Sequence, residues 1–257
     1  QTHHDYDSNI DKLINNVNTT FQIDVRTFVI NQSSEININH IVESLFDAIS
    51  RIISSTLMIL LFAVFIFIEE VHFNKKIQKI FRNESTKLTN LNETLGKIEW
   101  SVARYLGIKT LISLLTGVLS YVVFVFADLN FAIFWAFLIF LLNFIPTIGS
   151  LLGTVFPTIF CLLQFGEFST AFIVFFIVGF IQVLIGNFLE PKWLGNSMNI
   201  SPLFSIISLA FWGLIWGPIG MIISVPISVV LLIILAQINS TRSIALLLSE
   251  KGELYND

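Results

Sequence analysis

Residues 111–189 contain no Lys, Arg or His, and their only acids are Asp128 and Glu167. Runs of Phe, Ile, Leu and Val fill this interval. It is several times longer than the roughly 20 residues that one membrane-crossing helix needs. A water-soluble fold cannot cover so much apolar surface with so little polar material. The whole chain agrees: 54% of its residues are apolar, 12% are charged and the mean hydropathy is +0.80. A soluble chain carries about a quarter charged residues. The sequence therefore predicts an all-α, polytopic integral membrane protein whose solvent is the lipid bilayer, and it offers no basic surface for nucleic acid.

Hydrophobic segments fall at 52–68, 106–126, 131–145, 148–165, 168–189, 203–216 and 219–238, about seven in all. The third and sixth are short for a full crossing, so tilted, re-entrant or internally packed segments are expected there. Residues 1–50, rich in Asn, Ser, Thr and Ile, read as an amphipathic helical region, and the start at Gln1 reads as that of a fragment or processed product. Between the first two hydrophobic segments lie Lys75, Lys76, Lys79, Arg82, Lys87, Lys97 and Arg104 which, with Lys109 at the start of the second, make 8 of the 14 basic residues. Positive charge gathers on the cytoplasmic side of bacterial membranes. The expected organisation is thus an outer-face region at 1–50, a transmembrane helix at 51–70 and a cytoplasmic basic segment at 71–105. A transmembrane bundle at 106–240 and a cytoplasmic tail at 241–257 complete it. Leu88, Leu91, Leu95, Ile98, Val102 and Tyr105 step by three and four. That spacing makes the basic segment an amphipathic helix resting on the membrane or on neighbouring helices, or a seam between subunits.

Reactive chemistry has no foothold. All four histidines (His3, His4, His40, His72) lie outside the apolar core, no phosphate-cradling glycine loop is present, and Cys161 is the single cysteine. These absences argue against an enzyme, and no catalytic residue, metal site or cofactor is expected.

Punctuation is the informative feature instead. The six prolines, Pro146, Pro157, Pro191, Pro202, Pro218 and Pro226, all fall in the C-terminal half, among Gly149, Gly153, Gly186, Gly195, Gly213, Gly217 and Gly220. Proline removes a helical hydrogen bond and clashes with the preceding turn. Within a bilayer the freed carbonyl needs protein, water or ligand. Helix breaks are therefore expected across Asn143, Pro146, Gly149 and Gly153, and again around Pro218, Gly220 and Pro226. Interrupted hydrophobic segments point to a substrate site in a transporter. Close helix packing at glycine and hairpin turns at proline would explain the same pattern without transport. Gln182, Asn187 and Glu190, next to Pro191, supply polar groups for a path through the membrane, and Lys192 stands near enough in sequence to neutralise Glu190.

Taken in order, Asn143-Phe-Ile-Pro146-Thr-Ile-Gly149, Asn187-Phe-Leu-Glu190-Pro191-Lys192-Trp-Leu-Gly195, Ser201-Pro202, Gly217-Pro-Ile-Gly220 and Val225-Pro226 resemble the autoinducer-2 exporter family of bacterial membrane proteins. Phe67-Ile68-Glu69-Glu70, Arg104-Tyr105-Leu106-Gly107 and Thr116-Gly117 fit the same pattern. The resemblance implies the C-terminal part of a multi-pass inner-membrane permease that forms homo-oligomers. Its substrate would be a small molecule such as the quorum signal autoinducer-2, or an ion in sodium/proton exchange. A membrane scaffold without transport is the other class the sequence admits. Thr147 departs from the family pattern, where an aromatic residue is frequent.

Overall fold

The computed structural model describes residues 47, 50, 60–70, 72–73, 75–82, 84–195, 199–250 and 252. The expectation for residues 1–46 lies outside them. The chain divides into two compact units at the Asn92/Glu93 boundary. In the N-terminal unit residues 60–70 are helical and present Leu60, Phe62, Phe65, Ile66, Phe67 and Ile68 in exposed positions, apolar on every side, as a lipid-facing helix must be. Glu69, at the end of that run, pairs with Lys76 at 2.5 Å.

The described residues are helical wherever they are regular, because a backbone in lipid must satisfy its own hydrogen bonds. In chain order the helices are α1 (Ser85–Phe126), α2 (Ala132–Leu142), α3 (Ile148–Phe165) and α4 (Phe168–Leu184), which continues through a π-helical turn, Ile185–Leu189, into α5 (Glu190–Leu194). They end with α6 (Pro202–Gln237) and α7 (Arg242–Leu248). By length and composition α1, α3, the α4–α5 run and α6 are each able to cross a membrane, and α2 is shorter. The all-helical, polytopic membrane architecture that the sequence predicted is the one observed.

Two hairpins organise the C-terminal unit. The first joins α2 to α3. At 1.5 Å per residue the 11 residues of α2 rise about 16 Å, half of a hydrocarbon core of about 30 Å. The chain then reverses through residues 143–147. Gln164, near the far end of α3, accepts a hydrogen bond from the Asn130 N–H (2.7 Å) and donates to the Asp128 carbonyl (2.8 Å). Hairpin one therefore returns to the level at which it left α1. The turn answers its own backbone needs: Ile145 N–H bonds to Leu142 O (2.8 Å) and Gly149 N–H to Ile145 O (3.0 Å). It also forces Thr147, a β-branched residue, to φ 63°, a conformation such side chains rarely adopt.

The second hairpin is α6 folded on itself. A straight helix would hold Ser208 and Ser228 about 30 Å apart, yet their hydroxyls are 2.6 Å apart. The reversal is at Gly217 (φ 62°, ψ −143°), which separates arm α6a (202–216) from arm α6b (218–237). Its open end lies beside α5 and α7, where the Ser201 N–H bonds to Leu248 O (2.9 Å). The short third and sixth segments are thus the first arms of two hairpins that enter from opposite ends of the bundle. Neither hairpin makes a net crossing, so the tail returns to the end at which α1 begins.

Two apolar cores cap this unit. Near the end of α1, Phe124, Leu129, Trp135, Leu138, Ile139, Cys161, Val174 and Val178 pack together. Five turns back along α1, Tyr105 packs with Leu194, Ile200, Val225, Val229, Leu232 and Ile233.

Candidate functional site

Along one face, from beyond Tyr105 to just short of Phe124, α1 buries a line of polar side chains. Ser101, Tyr105, Lys109, Ser113, Thr116 and Ser120 recur at steps of four, four, four, three and four, and each is 4% exposed or less. That spacing keeps them on one helix face. The line is about 28 Å long, close to the thickness of a membrane core. Polar groups in lipid are costly, so a helix carrying such a line must turn it inward, where it meets partners or a solute.

Hairpin one supplies the first partner. Asn143, the first residue of the turn, is buried and its Nδ2 donates to Ser113 Oγ at 3.2 Å. Ser113 lies 13 residues from the end of α1, so this contact sits about 20 Å below that end, inside the membrane. Glycine brings the hairpin close enough. A Cβ on Gly117 would lie 3.1 Å from Ala136 O and 3.3 Å from Phe140 Cβ, so α2 nearly touches the α1 backbone there. A Cβ on Gly149 would lie 1.8 Å from the Leu142 carbonyl oxygen, which no side chain can accommodate.

The second contribution comes from α4. Gln182 is 6% exposed, and its Nε2 finds no hydrogen-bond partner among the described residues. It points at α3, where a Cβ on Gly153 would stand 3.0 Å from that nitrogen. Ser120 Oγ and Trp135 Nε1 are likewise buried and without partners among the described residues. Each such orphaned donor costs about 1–3 kcal/mol.

Glu190 closes the arrangement. It follows the π-helical turn and pairs with Lys109 of α1. The sequence reading placed Lys192 as its neutralising neighbour, but Lys192 is exposed, and the buried Lys109 takes the carboxylate. One helical turn beyond Lys109 is Ser113, which links the ion pair to the Asn143 contact.

Of the residues singled out from sequence, Asn143, Gly149, Gly153, Gln182 and Glu190 line or shape this buried region, and Pro146 sits in the turn of hairpin one. Gly220 and Pro226 are buried in hairpin two, and a Cβ on Gly220 would lie 1.9 Å from Trp212 O, the same tight closure as at Gly149. Asn187, Pro191 and Pro218 are exposed and make no part of it. The residues that sequence reasoning passed over are the α1 line itself. The signal was available in the four-and-three spacing of Ser101 to Ser120, which straddles the basic segment 71–105 and the hydrophobic run 106–126 and so was not read as one line.

A multi-pass helical bundle, broken by opposed hairpins around a buried polar line, is the build of a membrane permease. The chain belongs to the AI-2E family of transporters, whose family model matches residues 1–240. It is 35% identical over 206 residues to a candidate transport protein of Borreliella burgdorferi, covering 79% of this chain and 56% of that one. It is 34% identical over 207 residues to the AI-2 transport protein TqsA of Escherichia coli, covering 80% and 59%. A candidate transport protein of Haemophilus influenzae is 31% identical over 243 residues, covering 95% of this chain and 69% of its own length. The chain therefore spans little more than half the length of the first two relatives.

Proposed function

We propose that this chain forms the translocation path of a membrane transporter for a small, uncharged, hydrogen-bonding solute; the name of the Escherichia coli relative, an AI-2 transport protein, supports a small-molecule cargo. The observation that carries the reading is the Asn143–Ser113 contact, an amide and a hydroxyl meeting at membrane depth on a hairpin turn. Charge supports a neutral solute. Glu190 is already matched by Lys109. Asp128 and Glu167 stand in the connectors at the ends of α1 and α3, away from the buried line. The bilayer is the solvent of this assembly, a homo-oligomer is its working form, and no enzymatic step belongs to it.

Sodium/proton exchange is the second reading, and Glu190 is the residue that would favour it, as the one acid in the buried region among the described residues. Reconstituted full-length protein separates the two. Under the first reading, proteoliposomes release a neutral sugar-like solute faster than empty liposomes, and Glu190→Gln alters that rate without adding a pH signature. Sodium flux that depends on pH in the parent and vanishes in Glu190→Gln would establish the exchanger and refute the neutral-solute reading.

A further inference from the structure

Gln182 and Gly153 set an unpaired donor beside an acceptor that has lost its helical partner. Gln182 stands 14 residues beyond Phe168, the first residue of α4, and so about 21 Å along that helix. Helix α4 begins beside the end of α3, at the level where α1 ends, so this is the depth of the Asn143–Ser113 contact. The Gln182 side chain is buried and its Nε2 has no partner among the described residues. That nitrogen approaches the Cβ position of Gly153 to 3.0 Å. Gly153 has a deficit of its own. In a continuous helix its carbonyl accepts from the N–H of residue 157, and residue 157 is a buried proline inside α3. The hydroxyls nearby are committed elsewhere: Thr154 donates to Ser150 O (2.9 Å) and Thr158 to Thr154 O (2.8 Å). A carbonyl freed within a bilayer must find protein, water or a ligand.

A single hydroxyl answers both groups. It accepts from one neighbour and donates to another, whereas a ketone oxygen leaves the carbonyl unmet and a cation leaves the amide unmet. Room comes from the two residue types. Glycine has no side chain to fill the gap, and the amide is the far end of a flexible side chain that can draw back by the width of an atom. A second polar station lies next to this one. Gly149, one turn earlier on the same buried face of α3, has its Cβ position 3.3 Å from Asn143 N. The Cβ position of Gly153 lies 3.3 Å from Ile139 Cγ1, one turn before Asn143 on α2. The two stations therefore follow each other at about 6 Å, the rise of four residues. Hydroxyls at the ends of a chain of about four carbons have that separation.

We infer that Gln182 Nε2 and the Gly153 carbonyl bind a hydroxyl group of the transported solute, which makes a short polyhydroxylated chain the preferred class of cargo. This deepens the transport reading and rests on it. The hydroxyl accepts from the amide and donates to the carbonyl. Another hydroxyl of the same solute, about 6 Å along, exchanges for the Asn143–Ser113 bond. One binding event satisfies both unmet groups and so recovers the cost of each. A solute with this pattern replaces the water contacts it gives up inside the membrane, and one without it does not.

Equilibrium binding of radiolabelled erythritol to purified full-length protein tests the site without relying on flux. The parent should bind it saturably. Gln182→Leu removes the donor, and Pro157→Ala returns an N–H to the Gly153 carbonyl. Each should weaken binding about tenfold, the loss of one buried hydrogen bond. Because one hydroxyl bridges both groups, the double variant should bind no more weakly than either single variant. Thr158→Val, which removes a hydroxyl already committed within α3, should bind as the parent does. Unchanged affinity in Gln182→Leu, additive losses in the double variant, or no saturable binding in the parent would overturn the inference. Gln182→Leu is close in volume to the parent residue and decides the matter alone if Pro157→Ala does not fold. Saturable binding that Gln182→Leu weakens, in protein that moves no solute, would sustain the site and refute the transport reading alone.

Discussion

Hairpin one turns through five residues and gives the first side chain of that turn, Asn143, to another helix. Hairpin two turns at a single glycine and spends its polar groups on itself. Asn143 bonds to Ser113 of α1. Ser228 instead bonds to Ser208 of the opposite arm (2.6 Å) and to the Ser224 carbonyl (2.7 Å), and Ser224 bonds back to Met221 O. Both hairpins close over a glycine pressed against a carbonyl, Gly149 on Leu142 and Gly220 on Trp212. The shared closure shows a common structural device. The destination of the polar groups differs: that of hairpin one reaches α1, and those of hairpin two stay within its own arms.

The shared closure predicts the largest effects. Gly149→Ala and Gly220→Ala each place a methyl within 2 Å of a backbone oxygen, and backbone cannot yield as a side-chain tip can. Each should cost about 3 kcal/mol, at the upper end of overpacking penalties, and thermal unfolding in detergent should show similar losses for the two. A large loss at one glycine and none at the other would break the equivalence of the hairpins.

A sharper contrast comes from Gln182. Its buried Nε2 is an unpaired donor, so Gln182→Leu should raise stability by about 1–2 kcal/mol while lowering solute flux. If the leucine variant loses stability, the donor has a structural partner and does not serve the path. Smaller still is Ser228→Ala. It removes one hydroxyl contact inside hairpin two and should cost about 1 kcal/mol or less, with flux retained.

The membrane class, the number of hydrophobic segments and the positions of both reversals were legible because apolar run length and Pro/Gly punctuation report directly on helix length and helix breaks. The shortness of residues 131–145 and 203–216 even marked the two arms that turn back. Pairing was not legible. Lys192 is two residues from Glu190 and Lys109 is eighty-one away, yet the fold chooses Lys109, because a helix end turns neighbouring side chains outward and packing brings α1 against α5. Asn187 looked like a path residue for its chemistry alone, but the π-helical turn rotates it to an exposed position. The polar line on α1 was present in the spacing. Small hydroxyl residues barely lower hydropathy, so its inner half, Ser113 to Ser120, lay hidden inside an apolar run, and its outer half was read with the basic segment.

The contrast between the hairpins rests on what the polar contact of each one does, and solute flux per folded molecule measures that directly. Asn143→Ala and Ser228→Ala should be reconstituted side by side, with the folded fraction of each determined before flux is read. Removing Asn143 should lower flux at least about tenfold, the loss expected when one buried hydrogen bond to a moving solute disappears. Ser228→Ala should remain within about twofold of the parent by the same arithmetic for a contact that only braces. Equal losses in the two variants, or full flux in a folded Asn143→Ala, would contradict the assignment of hairpin one to the path.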